Sequence, residues 1–446
     1  MTGVMIILLL FISTILTFAI PYFQEYTVTI LKWELILYVL MVLVDMRQTK
    51  QFNLFHTWIA SFIFIIWSDM ILIAADDSAH VYTIPIFFYL IANNLVLWGY
   101  KLSSINKIRT REEYLVTHPK YMFALILIGI VSFLYIFYDN IILTLGSGRI
   151  LNDAKGGTTL TGSIASALGL ILPALITYYF RYVKKKSWIY SIILSLPILV
   201  FQAIIATRFK LLFQIIPLFI MLGVIKVKDN TIKSLMVLTS AIIAIGVYSS
   251  YTKENRNYAI NEQRSHEQRY TADTKDDIFL SFAEEMSPEG IIHMAHLAND
   301  YFEKNSHSYG RESLTIFYFW IPRSWWPEKP TQLDYWLIRK YENMPDAHST
   351  SSGFLGELRA DFGWISLIFA LFIGIVLRRC DQYIQSIFSN QSHSLQMVFA
   401  AMLYPYFFFF VRSPLTASFS LIFCYLIYWI IRKTMCKRVI NIPSQS

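Results

Sequence analysis

Apolar runs long enough to cross a bilayer recur about twelve times along this chain, and that repetition limits its fold more than any other feature. They fall near residues 3–20, 30–44, 54–75, 81–100, 121–138, 161–180, 188–207, 211–225, 232–250, 362–377, 395–411 and 414–431. Backbone groups in hydrocarbon must bond within their own segment, so the runs predict an all-α, polytopic integral membrane protein. Composition agrees: of 446 residues, 55% are hydrophobic and 15% charged, with a mean hydropathy of +0.47, whereas soluble domains carry about 25% charged residues. The first run lacks a basic flank and a small-x-small cleavage site, so it reads as a retained span.

The net charge of +8 is not a nucleic-acid footprint. The basic residues form short clusters between apolar runs, without a stripe of interleaved aromatics. Alternate connections hold about 20 of them, including Arg47, Lys101, Arg181, Lys226, Arg378 and Arg432. The opposite short connections hold only Arg149, Lys155, Arg208, Lys210 and Arg412, beside the acidic pair Asp76 and Asp77. The positive-inside rule then predicts cytoplasmic termini and an external loop over 251–361. The three cysteines, Cys380, Cys424 and Cys436, all lie outside this loop, which therefore contains neither a disulfide framework nor a cysteine metal site.

The loop has an order of its own. Ser287, Pro288 and Glu289 suit a helix start. Ile291, Met294, Ala295, Ala298 and Phe302 then recur at helical spacing, predicting an amphipathic helix. Trp320, Trp325, Trp326 and Trp336 crowd the next stretch. Short helices lying on the outer face of a single domain, 1–446, fit this pattern; no internal repeat divides the chain.

Ionisable residues near membrane depth are functional candidates because they are costly there. Arg208 starts the eighth span, and Arg412 sits in a tight turn between two apolar spans. Each is either a snorkelling interfacial arginine or half of an anion site, since guanidinium groups bind pyrophosphate through bidentate bonds. Arg149, after Gly146, Ser147 and Gly148, is a third anion candidate on a weak glycine signal. His348, in a small polar turn before Gly353, is the candidate base: its unperturbed pKa suits proton transfer near neutrality. It is otherwise a surface histidine bonding its own loop. His293 and His296, three apart, lack an evident third metal ligand and read as polar-face residues. Asp69 reads as a buried structural hydrogen-bonding group, and Lys32 and Glu34 as residues near the outer interface.

The motif Pro322-Arg323-x-x-Trp326-Pro327-x-Lys329-Pro330, the turn His348-Ser349 followed by Gly353, Gly356 and Glu357, the element Arg208-x-x-x-Leu212 and the turn at Arg412 together resemble the Wzy family of bacterial polysaccharide polymerases, related to the O-antigen ligases and the enterobacterial common antigen polymerase. The likeness in size, span number and one late external loop covers nearly the full length. It implies a GT-C-like glycosyltransferase that uses undecaprenyl-pyrophosphate-linked oligosaccharide on the periplasmic face of the bacterial inner membrane. His348 would be the base, and Arg208, Arg412, Arg323 and Arg149 the pyrophosphate ligands. Membrane lipid, a Wzz-type chain-length co-polymerase and a Wzx-type flippase would be its partners, and no cofactor is expected. The outer loop contains no Asp-x-Asp pair, so arginines are expected in place of a metal ion. A ligase transferring glycan to lipid A-core uses much the same chemistry; the Pro-Arg-x-x-Trp-Pro segment favours the polymerase. A transporter would be expected to have related halves, and none are evident.

Overall fold

The computed structural model describes residues 2–75, 79–103, 111–138, 160–204, 208–225, 236, 240, 283, 290–318, 321, 325–342, 352–388, 394–412 and 419–441. Most of these are helical. In chain order the helices are α1 (Thr2–Ala19), α2 (Thr27–Thr49), α3 (Leu54–Phe62), α4 (Ser68–Ala74), α5 (Thr83–Leu102), α6 (Pro119–Ile136), α7 (Leu160–Thr177), α8 (Trp188–Ile204) and α9 (Arg208–Leu222). Three helices of the long loop follow, α10 (Ile291–Lys304), α11 (Arg311–Tyr318) and α12 (Leu333–Glu342). The chain then returns to the bundle through α13 (Gly353–Phe362), α14 (Ser366–Phe388), α15 (Gln396–Phe410) and α16 (Phe419–Met435).

Each expected span except the ninth falls at least in part on described helix, with 205–207 of the seventh and 414–418 of the twelfth outside the described residues; 232–250 lies outside them apart from helical Met236 and Ser240. Five helical segments are long and apolar enough to cross a membrane: Gln24–Thr49, Leu54–Ala74, His80–Leu102, Pro119–Ile136 and Gly353–Phe388. Shorter apolar helices accompany them. On α1 the exposed large side chains are Val4, Met5, Ile7, Leu8, Phe11, Ile12, Ile15 and Phe18, all apolar. This broad apolar face suits hydrocarbon rather than water.

Two features depart from expectation. First, the fold is not wholly helical. β1 (Arg111–Val116) pairs antiparallel with β2 (Cys436–Asn441), and Tyr114 lies opposite Arg438. The sheet marks one end of the bundle, where the Leu395 N–H donates to the Tyr114 carbonyl at 3.0 Å. Second, Glu34 is enclosed by the bundle rather than open at an interface. It is fully buried among α1, α2 and α5, where it accepts from Ser13 and, at 2.9 Å, from Thr17. Asn94 extends this cluster, donating to Thr17 at 3.0 Å and accepting from the Tyr38 hydroxyl at 3.1 Å. A carboxyl group surrounded by donors is the form in which an acid survives inside a membrane bundle.

Near the other ends of α2, α5 and α14, acids tie the helices together. Asp45 accepts from Asn53 at 2.8 Å and lies against Lys101 and, at 3.0 Å, His56. Asn53 caps α3 reciprocally with His56. Asp381 accepts from the Leu54 N–H at 3.2 Å and from the Tyr100 hydroxyl at 2.6 Å.

α5 crosses α14 closely, where small residues let two backbones meet. A methyl carbon added at Gly374 would lie 2.0 Å from the Val96 carbonyl oxygen, and one at Gly99 would lie 2.1 Å from that of Leu371. Gly374→Val should therefore push the helices apart and lower stability by at least about 1–3 kcal/mol, the usual effect of overpacking. Thermal unfolding of the purified variant measures this; an unchanged midpoint would contradict the close approach.

Candidate functional site

The described part of the long loop forms a cap over the end of the bundle opposite the sheet. Its main helix, α10, buries Ile291, Met294, Ala295, Ala298 and Phe302, the stripe read from the sequence. Met294, Leu297 and Phe302 pack with Leu333 and Leu337 of α12 and Ala360 of α13. Asp69, in α4, is buried as expected, but its partner is the cap: it accepts from the Ile292 N–H at 2.7 Å, in the first turn of α10. A carboxylate suits that position because helix N-termini present unsatisfied N–H groups and a positive dipole end. Ser287–Glu289, the expected helix start, lies outside the described residues.

His293 and His296 also serve the docking of the cap. His293 Nδ1 lies 3.1 Å from the Tyr82 hydroxyl, and the His296 ring sits 5.0 Å from that of Tyr82. They are half-buried against the bundle rather than on a free polar face. Burial, with His293 adding to it, lowers the pKa of His296. No group of three or more metal-ligating side chains occurs among the described residues.

The loop ends at a tightly built junction. Ser352 donates from its N–H and its hydroxyl to Asp334 of α12, at 3.0 and 2.9 Å. Its carbonyl accepts from the hydroxyl of Tyr89, on α5. Gly353 then adopts a left-handed backbone, φ +65°, and faces the turn that follows α15. A methyl carbon there would stand 2.6 Å from the Val411 carbonyl oxygen and 3.4 Å from that of Arg412. One residue further on, Phe354 stacks on Phe410 with centroids 4.3 Å apart. The segment four residues beyond His348 is thus seated directly on the Arg412 turn.

Arg412 itself is half-buried. Arg208 opens α9, which packs on α15. The far end of α9 is fixed at the sheet end, because Arg181 donates to the Leu222 carbonyl and the Tyr182 hydroxyl donates to the Met221 carbonyl at 3.0 Å. The neighbouring Tyr179 stacks on Phe123, at 5.4 Å, near the start of α6 just after β1. The start of α15 is also at the sheet end, through the Leu395–Tyr114 bond. α9 and α15 therefore run in opposite senses, and the backbone positions of Arg208 and Arg412 share the capped end. The Arg208 side chain, His348, Arg323 and Arg149 lie outside the described residues. Of the Trp-Pro segment, Trp326 contacts Tyr318 with centroids 5.4 Å apart, and Lys329 donates to the Ile321 carbonyl at 2.8 Å.

Sequence reasoning missed Tyr89, Asp334, Ser352 and Arg359, which are buried beside the motif residue Glu357. The signal for one of them was present: Arg359 interrupts the apolar helix α13, which a chain tolerates only when such a group finds partners. Asp361 closes the same helix and holds the cap. It accepts from Ser308 Oγ at 2.6 Å and from the N–H groups of Glu312 and Ser313 at 3.0 and 2.7 Å, and so caps α11.

Glu312 beside it is buried, and its pKa is raised to about 7. Burial is the main cause; Asp361 and Asp334 raise it further, and Arg311 opposes them. A raised carboxyl pKa means the folded cap holds the proton more tightly than the unfolded chain. That contribution is fully present below the ordinary value of 4.5 and is lost as pH rises through about 7. Hydrogen exchange in α11 should accordingly quicken between pH 5 and 8, after correction for intrinsic rates, and Glu312→Gln should flatten the trend. An undiminished slope in the variant would exclude Glu312 as its source.

No family model matches the chain, and neither a curated protein nor a solved structure does. Its chemistry must be read from the junction itself. There an arginine turn, a segment leading from a histidine, and buried hydroxyl and carboxyl groups meet at one end of an apolar bundle.

Proposed function

We propose that this chain is a glycosyltransferase of the Wzy type. It would transfer a growing glycan from undecaprenyl pyrophosphate to the non-reducing end of a new lipid-linked repeat unit, with the capped end facing the periplasm and both termini in the cytoplasm. The observation that carries the reading is the seating of Gly353 on the Val411–Arg412 turn. Four peptide units span at most about 14 Å, so His348 is tethered within reach of that turn.

In the proposed reaction, Arg412 and Arg208 hold the donor's pyrophosphate, with Arg323 and Arg149 as further ligands. His348 takes the proton of the acceptor hydroxyl. The oxygen attacks the anomeric carbon of the donor sugar, a new glycosidic bond forms, and the bond from that carbon to the phosphate oxygen breaks. Undecaprenyl pyrophosphate leaves with the bonding electrons, its charge stabilised by the guanidinium groups. The leaving group is already activated, so positioning, proton removal and charge stabilisation suffice.

A twelve-span bundle of GT-C-like architecture belongs to this proposal, as do the flippase and co-polymerase partners. Deletion of the gene tests the reading. The lipopolysaccharide should stop at a single repeat unit on core. Bare core with accumulated polymer would indicate a ligase, and an unaltered ladder would remove both enzymes.

A further inference from the structure

Helix α11 has its amphipathy reversed. Glu312 and Thr315, three apart on one face, are buried. Leu314 and Phe317, three apart on the opposite face, are 52% and 70% exposed. Tyr309 before the helix and Trp325 beyond it are more open still, at 76% and 78%. A helix lying between a protein core and water turns its leucines and phenylalanines inward. Neighbouring exposed apolar side chains of this kind mark a contact surface.

The position of α11 selects lipid as the partner. Its start is docked on the end of α13. The Ser308 and Tyr309 N–H groups donate to the Ala360 and Asp361 carbonyls at 3.2 and 3.0 Å, and a methyl carbon at Gly310 would lie 3.5 Å from the Phe362 ring. Phe362 in turn lies against Phe369 of α14, with centroids 5.0 Å apart. Phe369 is exposed, with Ile365, Ile368 and Phe372, on Gly353–Phe388, a segment long and apolar enough to cross a membrane. Trp364, at the same end, contacts Phe87 and Phe88 with centroids 5.9 Å apart in each case. Those two residues lie roughly two turns inside the apolar segment His80–Leu102. α11 therefore starts beside the lipid-facing surface of the bundle, level with apolar helix, and its open face continues that surface. Arg311, whose side chain is half-open, can lay its stem along this face and keep its charge at the headgroups.

We propose that α11 is an interfacial anchor that seats the rim of the cap in the membrane leaflet on the capped side. Leu314 and Phe317 enter the boundary between headgroups and acyl chains, and Tyr309 and Trp325 sit among the headgroups, where amphipathic rings are favoured. The cap is then held by lipid at its rim and by the bundle beneath it. This surface stands independently of the polymerase reading.

Nitroxide labels at Leu314→Cys and Phe317→Cys test this in the full-length protein in phospholipid nanodiscs. The background carries Cys380→Ser and Cys436→Ser and keeps Cys424, which is buried. Relative accessibility to oxygen and to an aqueous nickel chelate reads the depth of each label. Both labels should lie about 5–10 Å below the headgroup surface, the depth of an interfacial apolar face. A label at Lys304→Cys, an exposed position at the end of α10, should read as aqueous, and one at Ile368→Cys as deeper in hydrocarbon. Labels on α11 as open to nickel as that at Lys304→Cys would mean a water-facing helix. Labels shielded from both oxygen and nickel would mean a face covered by protein, from this chain or a second copy. Either result overturns the proposal. Should the cysteine variants fail to fold, the unsubstituted protein decides. A phospholipid with a diazirine in its acyl chain should crosslink within 309–325, and adducts confined to the spanning helices would overturn the proposal equally.

Discussion

Replacement of His348 by alanine is expected to slow glycan transfer by about 10²–10⁴-fold, the usual contribution of a positioned general base. The acceptor hydroxyl is a poor nucleophile until its proton has somewhere to go, and a neutral imidazole is suited to take it near neutrality. The tether to Ser352 and Gly353 gives this expectation its structural content, because that segment is fixed on the Arg412 turn by Asp334, Tyr89 and the left-handed Gly353. Donor binding should change little in the His348→Ala protein, since the arginines would hold the pyrophosphate. Single-turnover transfer and donor affinity, measured on the same purified preparation, separate the two effects. Turnover close to wild type would eliminate the base assignment.

Arg412→Ala and Arg208→Ala should each lower transfer by about 10²–10³-fold, as loss of a preorganised donor to developing negative charge does. Lysine at either position keeps the charge but not the planar fork, so it should restore part of the activity and not all of it. The two sites should couple, because both guanidinium groups would serve one pyrophosphate: the double variant should fall short of the product of the single effects. Polymer ladders at matched protein levels are the readout. Normal ladders in both alanine variants would rule out the pyrophosphate role. Arg323→Ala should have a smaller effect, since its Trp-Pro setting has packing of its own.

What the sequence made legible, and what it hid, follows from the range of each interaction. The apolar runs and the α10 stripe are local patterns, and among the described residues they appear as helices. Asp69 was legible as a buried acid because a charge in an apolar run demands a partner. The partner, the Ile292 N–H, was not legible, because it lies in a loop far along the chain. Glu34 reads as a residue near the outer interface, and its burial was not legible because its donors come from α1 and Asn94 of α5 completes the cluster. The sheet was missed for a similar reason. Arg111–Val116 reads as a charged connection, and only the pairing with Cys436–Asn441 at the other end of the chain makes it a strand. At the candidate site, the order of motifs along the sequence suggested His348 and Arg412. The contact of Gly353 with the Arg412 turn required the fold.

The most direct measurement is reconstitution of the purified chain with undecaprenyl-pyrophosphate-linked repeat units as the sole glycan substrate. The account predicts a ladder of lipid-linked products of increasing length, with one undecaprenyl pyrophosphate released for each unit added. No polymer from these units, with glycan transferred only after lipid A-core is supplied, would contradict it.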